Sequence, residues 1–89
     1  MSAEDRSAVL VTAANCHLCE HAHQVLGRLE REFRVPVSEI DWECPEGQRM
    51  VRADRVPFPP ALYVDRRLVA YGRLSERRLR RLLAENMAR

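Results

Sequence analysis

The stretch Ala8-Val9-Leu10-Val11-Thr12-Ala13-Ala14-Asn15-Cys16-His17-Leu18-Cys19 runs from an apolar segment into a pair of cysteines. Ala8 to Ala13 is short, continuously apolar and rich in β-formers, which marks a strand covered on both faces. Asn15 breaks it. From about Cys16 to Arg34 the residues Ala22, Val25, Leu26, Leu29 and Phe33 recur every three or four positions, so one helical face meets a core. Gly27 lies on the other side and costs that helix roughly 1 kcal/mol. The two cysteines therefore fall where a strand gives way to a helix.

Outward from that junction, Val35-Pro36 ends the helix. Val37 to Trp42 alternates, with Val37, Glu39 and Asp41 on one side and Ser38, Ile40 and Trp42 on the other, and reads as a second strand. Cys44-Pro45-Glu46 is a helix entry with Pro at the first position; the helix runs to about Asp54 with Met50 and Val51 inward. Val56-Pro57-Phe58-Pro59-Pro60 is too rich in Pro for a helix or a central strand. Ala61–Val64 and Leu68–Tyr71 flank Asp65-Arg66-Arg67 as a β-hairpin. After Gly72, Ser75 caps a last helix with an apolar stripe of Leu79, Leu82, Leu83 and Met87. Its opposite face carries Arg77, Arg78, Arg80 and Arg81; this could be a patch for an anionic partner, but Glu76 and Glu85 dilute it and it reads as a solvated side.

The order β-α-β-α-β-β-α fixes an α/β class. A helical crossover makes the first two strands parallel, and the hairpin adds an antiparallel half. The expectation is a four-stranded mixed sheet flanked by three helices. Residues 1–7 are read as a disordered N-terminus and residues 8–89 as one domain.

Bulk properties narrow the function. A chain of 89 residues buries a little over ~60% of its unfolded surface, enough for one core. With 46% hydrophobic and 31% charged residues, the composition argues against disorder and against a repeat array. No apolar run approaches the ~20 residues of a membrane helix. The opening "MSAEDRSAV" is acidic and lacks a signal-peptide pattern, so a cytoplasmic protein is expected. There a Cys-x-x-Cys is catalytic or metal-binding more often than structural. All fifteen cations are Arg, and a net charge of +2 gives no field suited to nucleic acid.

The cysteines admit more than one chemistry. Amide N–H groups at a helix start lack internal partners and carry the positive end of the macrodipole, which lowers a thiol's pKa. Cys16 feels most of this. Cys19 lies on the same face of the first turn, at a spacing a disulfide tolerates, so one sulfur can attack and the other resolve. His17, if protonated, favours a thiolate at Cys16; as neutral imidazole it could relay a proton; as a solvent-exposed loop residue it has no role. The metal reading takes Cys16, Cys19, His21 and His23 as ligands for zinc or an iron–sulfur centre. On a helix, however, His21 and His23 lie about 200° apart and cannot both face the sulfurs, so the dithiol is preferred. A third reading is a non-catalytic interaction module.

Cys-x-x-Cys at the first strand–helix junction, with a Pro directly before the third strand, resembles the thioredoxin fold, and within it the short glutaredoxin-like proteins. "CHLC" entering a helix, then "PALYVD" followed by a hairpin, a Gly and a last helix, match that pattern over residues 8–84. The resemblance implies a thiol–disulfide oxidoreductase in which Cys16 attacks, Cys19 resolves and Pro60 is a cis-proline beside them. It implies no cofactor beyond the redox-active pair, and as partners a disulfide-containing protein or a low-molecular-weight thiol. We expect a monomer.

Two departures stand out. Relatives pair the residue before the cis-proline with the substrate backbone. Here that residue is Pro59, which keeps only its carbonyl. Glutathione-using relatives carry a Lys before the first cysteine and a Gly-Gly-x-x-Asp after the fourth strand. This chain has Ala14-Asn15 and Tyr71-Gly72-Arg73-Leu74-Ser75, which argues against glutathione. Phe58 is the candidate for an apolar rim facing substrate, Trp42 reads as core, and Cys44 as a helix-entry residue without chemistry.

Overall fold

In the computed structural model, which describes residues 7–87 with side chains through residue 85, the chain runs β1 (Ala8–Thr12), α1 (His17–Phe33), β2 (Val37–Asp41), α2 (Pro45–Ala53), β3 (Ala61–Val64), β4 (Arg67–Tyr71) and α3 (Glu76–Met87). The sheet order is β2-β1-β3-β4. β1 pairs with β2 in parallel and with β3 antiparallel, and β3 pairs with β4 antiparallel. The apolar runs of β1 and β3 thus occupy the two central positions, where both faces are covered.

Alternation along those strands builds two cores. Ala8, Leu10, Leu62 and Val64 point to one face and meet Ala22, Val25, Leu26 and Leu29 of α1 with Leu79 and Leu83 of α3. Val11, Ala61 and Tyr63 point to the other and meet Val51 of α2 and Val56, with Trp42 packed against them. Leu10, Leu29 and Leu62 are fully buried, and each removal from water contributes roughly 2 kcal/mol. The helices α1 and α3 are also tied by charge. Arg28 donates to the Glu76 carboxylate at 2.8 and 3.1 Å, and Arg80 bridges Glu76 at 3.1 Å and Glu32 at 2.9 Å.

The boundaries shift for local reasons. β2 stops at Asp41 rather than Trp42, because Asp41 folds the chain back: its carboxylate accepts Glu43 N–H at 2.8 Å and its carbonyl accepts Cys44 N–H at 3.1 Å. β4 begins at Arg67, since the hairpin turn needs only Asp65 and Arg66. Both have positive φ, 51° and 71°, the turn geometry that matches strand twist. Ser75 caps α3 as expected, its Oγ accepting Arg78 N–H at 3.2 Å. The disordered segment expected over residues 1–7 falls, except for Ser7, outside the described residues. Ser7 N–H donates to the Asp65 carboxylate at 3.3 Å, and Ser7 C=O accepts Asp65 N–H at 3.0 Å. The Met87 side chain, assigned to the apolar stripe of α3, also lies outside the described part.

Candidate active site

The chain leaves β1 at Thr12 and turns at Asn15, which takes the left-handed conformation (φ 55°) that its short polar side chain tolerates. Cys16 follows in extended conformation and is itself the N-cap of α1. Its Sγ accepts the N–H of Cys19 at 3.1 Å, and its carbonyl accepts the N–H groups of Cys19 and Glu20 at 3.1 Å each. Cys16 and Cys19 are joined by a disulfide, with Cα atoms 5.1 Å apart. Cys16 is half-buried and Cys19 is 3% exposed, so Cys16 is the more accessible residue of the pair.

The antiparallel register brings the Pro-rich loop to the same end of the sheet. Val11 pairs with Ala61, and one further step sets Pro60 level with Thr12, where the chain departs toward Cys16. Pro60 is buried, its bond to Pro59 is cis, and its carbonyl accepts Gly72 N–H at 2.8 Å. Phe58 lies outside, 48% exposed, and packs edge-to-face on Tyr71, itself 47% exposed; the ring centroids are 5.8 Å apart. Gly72 makes this possible. It has φ +72°, and a Cβ there would press on the Phe58 ring at 3.0 Å.

Among solved structures the chain is similar to mitochondrial thioredoxin 3 of Saccharomyces cerevisiae in its oxidized form. The TM-score is 0.68 at 16% identity, covering 91% of this chain and 78% of that one. It is also similar to a thioredoxin from Thermus thermophilus, with a TM-score of 0.63 at 22% identity, covering 92% and 73%. The chain has the thioredoxin fold. No family model and no curated protein matches the sequence.

In this version of the thioredoxin fold the three histidines diverge. His17 is 99% exposed, and the nearest acid is Glu20 at 3.8 Å, so any charge it carries is screened by solvent. His23 turns toward β2 and meets the Glu39 carboxylate at 3.0 Å. That oxygen also accepts the Thr12 hydroxyl at 2.6 Å, and the hydroxyl first, with His23 after it, holds the Glu39 carboxyl below the ordinary carboxylate range. His21 Nδ1 is buried without a hydrogen-bond partner among the described residues. The donors of the metal reading therefore do not converge, and among the described residues no group of three or more His, Cys, Asp or Glu is set to hold a metal ion.

Cys44, read from sequence as a bare helix entry, caps α2 through its sulfur, which accepts Gly47 N–H at 3.4 Å. Tyr71 was absent from the sequence-derived candidates. Its signal lay in the hairpin register, which sets the last residue of the fourth strand opposite Ala61, next to Pro60.

Proposed function

We propose that this chain is a thiol–disulfide oxidoreductase of glutaredoxin-like build, in which Cys16 attacks and Cys19 resolves. The observation that carries this reading is the joined pair at the start of α1, with the Cys16 sulfur as the cap. In the dithiol state a Cys16 thiolate keeps the Cys19 amide hydrogen bond and faces the positive end of α1, and both favour the charged form. Its pKa is expected well below that of a free cysteine.

The reaction moves two electrons. The Cys16 thiolate attacks one sulfur of a substrate disulfide; a mixed disulfide forms, the substrate S–S bond breaks, and the departing thiolate takes up a proton. Cys19 then loses its proton and attacks Cys16 Sγ. The second substrate thiol leaves and the pair closes as a disulfide, to be reopened by a low-molecular-weight thiol or a reductase. The half-exposed Cys16 and the buried Cys19 fit this division of labour. Pro60, Pro59 and Phe58 would face the substrate, with Tyr71 extending the apolar rim. Pro59 offers a carbonyl but no N–H, so backbone pairing is weaker than two hydrogen bonds, and glutathione is not the favoured thiol.

Trapping tests the assignment. A Cys19→Ala variant should hold its substrate as an adduct on Cys16, identifiable by mass. If Cys16 of the reduced protein is alkylated with the pH midpoint of a free cysteine, its role as the attacker is wrong.

A further inference from the structure

We propose that the groove between α2 and the sheet binds a linear aliphatic diamine. The two faces of the sheet are covered unequally. The 17 residues of α1 and the 12 of α3 lie on one, and only the 9 of α2 lie on the other. On that second face Val9 and Ile40 stay half-buried. With Met50 of α2 they line a groove of about 400 Å³, the size of a small-molecule site. Tyr63 lines it too, at 3% exposure, on the same face as Val9, its partner across β1 and β3. Its hydroxyl is buried and has no hydrogen-bond partner among the described residues, a costly state for a polar group. Burial, and after it the Asp54 carboxylate, push the phenol up to about 12, so it stays protonated at neutral pH. Its oxygen is left to accept a hydrogen bond, and beside a carboxylate the fitting donor is a cation.

The charges around the groove choose the ligand. Glu46 and Asp54, both exposed, line it from the two ends of α2, ~12 Å apart at the rise of a helix. Neither has a basic group within ion-pair distance among the described residues. The carbonyl end of α2 adds partial negative charge beside Asp54. Against these stands Arg66, the one basic residue lining the groove among the described residues. A chain of methylenes with an ammonium group at each end answers these features. The methylenes lie over Val9, Ile40 and Met50. One ammonium donates to the Asp54 carboxylate and the Tyr63 oxygen, and the other to Glu46.

No cysteine lines the groove, so the test reads binding and not disulfide reduction. Titrating the intact chain with octamethylenediamine should give saturable NMR shifts at the Met50 methyl and the Tyr63 ring, and added salt should weaken them. Asp54→Asn should lower the affinity roughly tenfold or more, as for other lost hydrogen bonds to a charged group. Tyr63→Phe, which removes a hydroxyl without a partner and so should fold, should lower it severalfold. Arg66→Ala should raise it, because the opposing charge is gone. Octamethylene glycol, equally long and uncharged, should bind at least tenfold more weakly on the same scale, and this arm needs no variant. Equal affinity for the glycol overturns the selection by charge, and unchanged affinity in both Asp54→Asn and Tyr63→Phe overturns the site. Tighter binding of suberate, the dicarboxylate of that length, would assign the groove to an anion held by Arg66 and overturn the proposal as well.

Discussion

Both α1 and α2 begin on a cysteine whose sulfur accepts the amide three residues on: Cys19 N–H at 3.1 Å for Cys16, Gly47 N–H at 3.4 Å for Cys44. Both caps are extended and half-buried, and each follows one strand of the parallel pair. The difference lies at the position where the bond ends. At α1 it is Cys19, so the amide donor comes with a second sulfur. At α2 it is Gly47, where any Cβ would collide with the Asp41 carbonyl oxygen. A sulfur cap satisfies an amide in either helix; an exchangeable pair also needs room for a side chain at that position. The turn at Asp41 removes that room, whereas the Ala13-Ala14-Asn15 connection leaves it.

The largest effect expected from this contrast is on activity. Cys16→Ser should abolish reduction of an aromatic disulfide, a loss of roughly three orders of magnitude or more, as for other nucleophile deletions. Cys44→Ser should stay within about twofold, because a hydroxyl also caps a helix. Equal losses in the two variants would break the comparison, since both caps would then carry chemistry.

The next effect is on stability, and its sign is the test. In a helix Ala is ordinarily better than Gly by about 1 kcal/mol. Gly27→Ala, on an open part of α1 with nothing within 4 Å of the new Cβ, should follow that rule. Gly47→Ala should reverse it and destabilise by about 2 kcal/mol, because the opposing atom is backbone and cannot swing aside. Urea midpoints of the two variants read both values. A neutral Gly47→Ala would mean that α2 has the same room as α1.

Much of this contrast was legible in the residues. Apolar periodicity located α1 and α3, a Pro at the first helical position located α2, continuous apolar runs located the central strands, and Cys-x-x-Cys at a strand–helix junction located the sulfurs. Pattern failed where one atom decides. Nothing in Cys44-Pro45-Glu46-Gly47 announces a sulfur cap, and Gly47 looks like any weak helix residue until the Asp41 carbonyl is set beside it. Tyr71 and the Thr12–Glu39–His23 contact depend on strand register, which joins residues far apart in sequence. The arginine face of α3 reads as a solvated side; charge count alone does not show that Arg80 pairs across to Glu32 of α1 and back to Glu76.

The smallest effect concerns what holds α1, and with it the Cys16 cap, against α3. The Glu76 carboxyl is held down to about 2, first by its hydrogen bond from Arg28 and then by that from Arg80. A carboxyl whose folded value is depressed stabilises the fold above its unfolded value, near 4.5, and loses that contribution as the pH falls toward about 2. Glu76→Gln keeps the side chain's size and removes its charge, so its melting temperature should lie a few degrees below wild type at neutral pH. The gap should close between about pH 4.5 and 2, where the wild-type carboxyl takes up its proton. Because Arg28 and Arg80 are each about half exposed, the difference should also shrink in high salt. Among the described residues α2 has no counterpart: the only side-chain partner of its Arg52 is the neutral Gln48, at 3.1 Å. Replacing Gln48 should therefore leave the acid side of the stability curve unchanged. Two melting curves that stay parallel down to pH 2 would show that the carboxylate does not lock α1 in place, and that apolar packing alone separates the anchoring of α1 from that of α2.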